Sequence, residues 1–468
     1  MPLTTEQQHI LSHVVSTPGL TLVDACAGSG KTTLLVAIAD AIPHTNGIYL
    51  CYNKSVSVEA QRKFPSSTHC VTTHSMAYAA TIKPLKLRLG EFSYRDITER
   101  LQQDQKYSIT MHIRSFCLSK YTSFADYATT FQLPPLYTTI VNKYLGLMQS
   151  GTIECTHDFY LKLFHMMLAN GSLTYDPFDF IMLDEAGDLN EVTLEIFKLL
   201  PSTRKVAVGD KHQNIYQFND TINCFKILEG QGTLLPMTKS FRVSKAIASK
   251  VESFGRKYLD PQMSFEGTDS LSPAINTRAY ITRTNSALIQ RMIQLNAQGV
   301  PYSLNRSAKD IFKVPLMLCN LKYQGFITDP AYKFLQADVD DWYESDDLRS
   351  TYPSIFSYIS HQCPEDVQLA QAIRLLSTHK KNLIILTYEE ARKHEKARHP
   401  LTLATVHSCK GAEFDEVTLA DDLHETTAVA LDRIDGGAVP STKDLETINL
   451  YYVACTRAAK VLNNARHL

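Results

Sequence analysis

A chain of 468 residues is too long for one ordinary hydrophobic core, and its 44% apolar and 20% charged residues exclude a disordered majority. The formal net charge of -1, with His neutral, supplies no bulk attraction for a nucleic acid, so any such affinity has to come from a local groove. No run of about 18 apolar residues is present to span a membrane. The start MPLTTEQQHI shows no secretory pattern, and ten scattered cysteines without a CxxC pair suit reduced thiols, so an intracellular protein is expected.

The first apolar run, Leu20–Val23, reads as a strand. It leads into Ala25-Cys26-Ala27-Gly28-Ser29-Gly30-Lys31-Thr32-Thr33, a glycine-rich loop that opens a helix. In that setting the backbone N–H groups from Ala27 to Thr33 cradle a polyphosphate, Lys31 reaches the outer phosphates and the Thr32 hydroxyl holds Mg2+. The strict motif begins with Gly where this chain has Ala25; the rest fits, and the expected ligand is ATP or GTP.

Ile48–Cys51 reads as the next strand. Between His74 and Gly151 the rhythm breaks. Mixed aromatic and polar residues, among them Tyr121, Phe124 and Tyr127, read as a mainly helical insertion, and Asp158–Ala169 reads as an amphipathic helix returning to the core. Phe178–Leu183 and Lys205–Gly209 read as two further core strands. The first ends in Asp184-Glu185, the pattern of a Walker B element: Asp184 for Mg2+, Glu185 to polarise the attacking water. The second ends at Gly209-Asp210. Gln213 follows as a neutral donor suited to sensing the last phosphate, and Tyr216 and Phe218 are rings suited to stacking on bases.

A second set of strand-like runs, Ala279–Arg283, Leu383–Leu386, Leu401–Val406 and Glu416–Ala420, predicts another α/β domain. Pro301, Pro315, Pro330, Pro353 and Pro364 punctuate the segment between them, which reads as a second helical insertion. Tyr388–His399 reads as a solvated helix with Glu389 paired to Lys393 four residues on. No internal repeat at fixed period is present.

In this order the motifs resemble those of superfamily 1 DNA helicases of the UvrD/Rep/PcrA type. Their wording is most similar to the helicase core of the F-box DNA helicases, without an F-box before it. The resemblance runs from Leu3 to Arg457. It implies an α/β fold of two RecA-like P-loop NTPase domains carrying two mainly helical inserted subdomains. The expected boundaries are 1–75 and 155–240 for the first domain with its insertion at 76–154, and 241–300 and 383–468 for the second with its insertion at 301–382.

The resemblance also implies roles. Gln7, in Leu3-Thr4-Thr5-Glu6-Gln7, would read the adenine edge, since an amide donates and accepts at once. Tyr52-Asn53-Lys54 and Thr73-His74 would contact DNA. Arg242, in Lys239-Ser240-Phe241-Arg242, would reach the nucleotide, and Arg457, in Tyr451-Tyr452-Val453-Ala454-Cys455-Thr456-Arg457-Ala458, would neutralise the γ-phosphate from the second domain. Arg283 would approach the triphosphate or a nearby strand. In Val406–Phe414, Glu413 would hold the ribose hydroxyls or order the nucleotide side, while His407, Ser408 and Lys410 would face DNA or the coupling path.

The implied function is an ATP-dependent 3'-to-5' DNA helicase or translocase using ATP and Mg2+. It would act on single-stranded DNA and on duplexes with single-stranded tails, as a monomer or weak oligomer beside replication or repair proteins, and away from membranes. Its place would be the cytoplasm and nucleoid of a bacterial or phage host, or the nucleus of a eukaryote. Three alternatives stay open: a DNA-stimulated translocase that strips proteins with little unwinding, an ATP-switched nucleic-acid-binding module, and an RNA helicase. One departure bears on coupling. The family commonly has Gln where this chain has Gly187, so Gly187→Gln is expected to raise DNA-stimulated hydrolysis if the missing amide matters.

Overall fold

The computed structural model describes residues 2–43, 45–51, 53–215, 221–329, 332, 335–363 and 366–468. Tyr52, Tyr216, Phe218, Pro330 and Pro364 lie outside them. The chain divides into two compact units, Met1–Phe241 and Arg242–Leu468.

The first unit is built on a six-stranded sheet in the order Thr68–Thr72, Gly47–Cys51, Phe180–Leu183, Arg204–Gly209, Gly19–Ala25 and Thr233–Met237. Every pairing is parallel. The two-residue period of a strand divides its apolar side chains between two cores. Leu22, Ile48, Leu50, Ile181, Leu183 and Ala207 face one core, and Val23, Ala25, Tyr49, Phe180, Met182, Val206 and Val208 face the other. Burial on both faces explains why these strands read as continuous apolar runs. Because the strands run parallel, the chain following Ala25, Cys51, Leu183 and Gly209 emerges along one edge, where open α/β sheets bind ligands.

The helical insertion holds Gln103–Leu118, Phe124–Thr130 and Pro135–Gln149, and the chain returns through His157–Ala169. Its core, with Ile113, Phe116, Phe124, Tyr127, Tyr144 and Phe164, is continuous with one face of the sheet. Tyr121, Phe124 and Tyr127 are packing residues here, with ring centroids 5.8–5.9 Å apart for Phe124–Tyr127 and Tyr121–Tyr127. The buried Lys162 ammonium ties the segment together by donating to Ser119 O at 2.6 Å and Tyr121 O at 2.8 Å. Burial lowers its pKa to about 8.

The second unit has a five-stranded sheet, also parallel throughout, in the order Ser303–Leu304, Leu401–Thr405, Arg278–Thr282, Phe414–Leu419 and Ala458–Asn463. Its inserted segment is helical over Lys313–Gln324, Gln336–Glu344, Ile355–Gln362 and Val367–Thr378. It packs a separate core around Leu318, Leu321, Val339, Ile359 and Leu369.

Two expectations change. Leu383–Leu386 is not a strand but part of the helix Lys381–His394. Ile384, Thr387 and Ala391 are buried at helical spacing, whereas Leu383 and Leu386 are 38% and 66% exposed, a distribution a period-two strand cannot produce. On the same helix Lys393 pairs with Glu390 at 2.6 Å, and Glu389 pairs with Arg392 at 3.5 Å. The edge strands Thr68–Thr72, Thr233–Met237, Ser303–Leu304 and Ala458–Asn463 are additions; being half-exposed, short or, in Thr233–Met237, interrupted by Pro236, they do not stand out as buried apolar runs. Among the described residues, no helix is long and apolar enough to cross a membrane.

Candidate nucleotide-binding site

Strand Gly19–Ala25 ends on the glycine-rich loop, and helix Lys31–Ala41 begins directly after it. Gly28 and Gly30 have φ of 75° and 80°, the left-handed region that glycine enters without a Cβ penalty. Gly30 is also crowded, since a Cβ there would lie 3.0 Å from Gln7 Nε2. As the residue preceding the helix, Gly30 offers no side chain to cap the first-turn N–H groups, which leaves a helix end suited to an anion. The Ser29 hydroxyl, in a residue only 1% exposed, has no hydrogen-bond partner among the described residues.

The loop is held from outside. Cys26 N–H donates to Met237 O at 3.0 Å, the buried Ser240 hydroxyl to Ala27 O at 2.8 Å, and Phe241 N–H to Gly28 O at 2.9 Å. Gln7 Nε2 donates to Ser29 O at 3.1 Å, while its Oε1 accepts the Thr4 N–H at 3.0 Å. Gln7 therefore fastens the first helix, Thr5–Ser16, to the loop. Thr32 and Thr33 lie in the first turn of the helix that follows.

Charged groups converge on Lys31. Its ammonium is 3.2 Å from Glu185 Oε1. Burial opposes the Lys31 charge, but Glu185, Asp184 and Asp210 outweigh it and raise the pKa. Asp184 follows directly after strand Phe180–Leu183. Its Oδ2 accepts the Tyr49 hydroxyl at 2.5 Å and its Oδ1 accepts the Glu185 N–H at 2.9 Å. Burial and then Glu185 push the Asp184 carboxyl up, while Lys31 and the Tyr49 bond pull it down. Glu185 has φ of 51°, an uncommon conformation for a residue with a side chain, directly beside the candidate catalytic carboxylate. A buried carboxylate and a helix-terminal hydroxyl, Asp184 and Thr32, fit the modest ligand set a protein gives to Mg2+ shared with a polyphosphate.

Gln213 is buried, and its Nε2 donates to Asp210 Oδ2 at 2.8 Å. Gly187 faces the same segment: a Cβ there would sit 2.7 Å from Asp210 O. A Cβ at Gly209 would in turn lie 2.9 Å from the nitrogens of Ala186 and Gly187. The two strand ends thus pack main chain on main chain, and Ala186 N–H donates to Val208 O at 2.9 Å. For Gly187→Gln, no room exists for the side chain unless Asp210 moves, and Gln213 with it.

In the second unit, Arg242 and Glu413 pair with each other at 2.5 Å. Arg457 is 1% exposed. Its guanidinium donates to Val453 O at 3.0 Å, to Ala412 O at 3.2 Å and to Thr456 Oγ1 at 3.2 Å. Asp422 accepts the N–H groups of Arg283 and Thr284 at 3.1 and 3.0 Å. Burial lowers the Arg283 pKa against the pull of Glu446 and Asp422. Ser408 is braced by Asn305, whose Nδ2 donates to Ser408 O at 2.7 Å. His407 and Lys410 are half-buried in the same loop.

Of the expected DNA contacts in the first unit, Asn53 caps helix Lys54–Ala60 by accepting the Val56 N–H at 2.9 Å, and Lys54 is exposed. Thr73 is buried. His74 packs edge-on to Tyr160 at 5.9 Å, and burial lowers its pKa, favouring the neutral ring. Tyr49, Asp210, Ser240 and Asp422 escape a reading of the sequence. Tyr49 sits inside an apolar run, Asp210 and Ser240 fall within motif segments but carry no assigned role there, and Asp422 shows no motif signal.

Residues 7–219 match the AAA domain family and residues 345–464 match the UvrD-like helicase C-terminal domain. Across 98% of its length the chain is 24% identical to F-box DNA helicase 1 of Gallus gallus, of which 48% is covered. It is 25% identical, again over 98%, to F-box DNA helicase protein 1 of Schizosaccharomyces pombe, of which 57% is covered. The chain spans about half the length of the curated relatives it matches.

Proposed function

Because the chain belongs to the superfamily 1, UvrD-like helicases and is related to the F-box DNA helicases, we propose that it is an ATP-dependent motor moving 3'-to-5' on single-stranded DNA and separating tailed duplexes. The observation that supports the ATP-driven part of this reading is the cluster of Lys31, Glu185 and Asp184 beside a glycine-rich helix end with no side-chain cap. A polyphosphate competes with Glu185 for Lys31. Drawing the ammonium away leaves the Glu185 carboxylate to polarise water. Mg2+, when bound by Thr32, Asp184 and the phosphates, supplies neutralisation of developing charge.

Ala27, Gly28, Ser29, Gly30, Lys31, Thr32 and Thr33 form the phosphate cradle. Gln7 supports it and borders the base, and Gln213 senses the last phosphate. Arg242 and Arg457 are the cations assigned to the phosphates in this reading. Both hold internal acceptors, Glu413 for Arg242 and the carbonyls of Val453 and Ala412 for Arg457. Phosphate bonds to Arg are stronger than bonds to neutral carbonyls, so nucleotide can draw Arg457 into service. Arg283 and Glu413 complete the nucleotide side. Asn53, Lys54, Thr73, His74, His407, Ser408 and Lys410, together with Tyr52, Tyr216 and Phe218, serve the strand. Replication or repair proteins are the partners such a motor would meet.

The test is hydrolysis with and without single-stranded DNA, alongside unwinding of 3'- and 5'-tailed duplexes. Stimulation by DNA and a preference for the 3' tail are expected; hydrolysis indifferent to DNA would sink the reading. A second reading, a translocase that strips proteins with little unwinding, is favoured by Gly187, which puts no side chain in the Walker B turn. Release of streptavidin from a single strand without duplex separation would select it.

A further inference from the structure

We infer that Tyr49 is a positioning residue for the Walker B carboxylate, an inference that rests on the nucleotide-site reading above. Tyr49 lies in strand Gly47–Cys51, next to Phe180–Leu183 in the sheet, with Tyr49 directly opposite Met182. The ring is buried against Phe64, with centroids 4.6 Å apart. The phenol head reaches Asp184, two residues past Met182, and donates to Oδ2 at 2.5 Å.

The other carboxylate oxygen is taken by the Glu185 N–H at 2.9 Å. One bond to each oxygen fixes the plane of the carboxylate. A carboxylate has about four lone-pair positions, so two stay available to a cation or its water shell. Lys31 reaches Glu185 rather than taking over this task. A phenol is a good holder because it can donate without bringing a second charge into a buried site. A lysine in its place would compete with the metal. Hydrogen-bond partners of this kind set the orientation of a ligating group, and losing one typically weakens metal affinity by about 10-fold or more.

The test is Tyr49→Phe, which keeps the ring packing and removes only the hydroxyl. Binding of a fluorescent ATP analogue is titrated with Mg2+ and, separately, in excess chelator; thermal stability is followed in parallel. The expected result is a rise of about 10-fold in the Mg2+ concentration for half-maximal tightening, with metal-free affinity unchanged. Mn2+, which accepts less regular ligand sets, is expected to restore binding more fully than Mg2+. A variant whose melting temperature falls while its Mg2+ dependence matches wild type would overturn the inference and leave Tyr49 as packing. Asp184→Asn serves as the reference: Tyr49→Phe should move in the same direction by a smaller amount. If the unaltered protein binds no ATP analogue with or without Mg2+, the nucleotide-site reading itself fails, an outcome distinguishable from failure of the Tyr49 inference alone.

Discussion

The two parallel sheets treat the same local feature in opposite ways. In the first unit, strand Gly19–Ala25 passes to helix Lys31–Ala41 through a glycine loop, and the helix end has no side-chain cap. In the second, strand Arg278–Thr282 passes to helix Asn285–Gln298 through Arg283 and Thr284 alone. There the Thr284 hydroxyl caps the helix by accepting the Ala287 N–H at 3.2 Å, and the Asp422 carboxylate takes the N–H groups of Arg283 and Thr284 and the Thr284 hydroxyl. An internal carboxylate already takes the donors of this turn. A strand, a turn and a helix therefore do not make a nucleotide site. What makes one is a turn whose donors are left for an outside anion.

The largest expected effect tests the open turn. Lys31→Ala should lower ATP hydrolysis by about 10²- to 10³-fold, the scale for removing a group that meets developing charge, with the melting temperature little changed. Phosphate release at saturating ATP measures it. Near wild-type turnover would remove this loop from the chemistry. Next, Gly187→Gln should cost about 1–3 kcal/mol of stability in denaturant, as overpacking does, and slow hydrolysis through displacement of Asp210. A stable and faster variant would show that the main-chain contact yields.

The closed turn is broken by Asp422→Ala. Two backbone donors lose their acceptor, at a cost of about 1–3 kcal/mol. Added sulfate should then raise the melting temperature of this variant more than that of wild type, because the second turn would now accept an outside anion. Equal sulfate responses would deny the equivalence of the two turns. The smallest effect belongs to Ser29→Ala. Its hydroxyl has no partner among the described residues, so stability should be unchanged, and ATP affinity should weaken by about 0.5–1.5 kcal/mol. Calorimetric binding measures the difference.

The alternating α/β pattern and the order of motifs are legible in the amino-acid sequence, since buried parallel strands write themselves as apolar runs and a phosphate loop is built from consecutive residues. Leu383–Leu386 misleads because a short apolar run does not distinguish a strand from one face of a helix. The deciding signal reaches past that run, in the spacing of Ile384, Thr387 and Ala391. Arg457 shows another limit. Its motif marks it as a cation for phosphate, yet only the fold reveals that it has internal acceptors to give up.

By itself the sequence marked the glycine loop, the carboxylate pair and the two arginine-bearing segments, because each is encoded within a few consecutive positions. The tertiary structure alone decided that Tyr49 holds Asp184 across 135 residues, that Ser240 clamps Ala27 across 213, and that Gly187 is closed by Asp210. Those contacts depend on which strands lie side by side, and strand order is set by packing the whole sheet against its helices, which no local stretch of chain specifies.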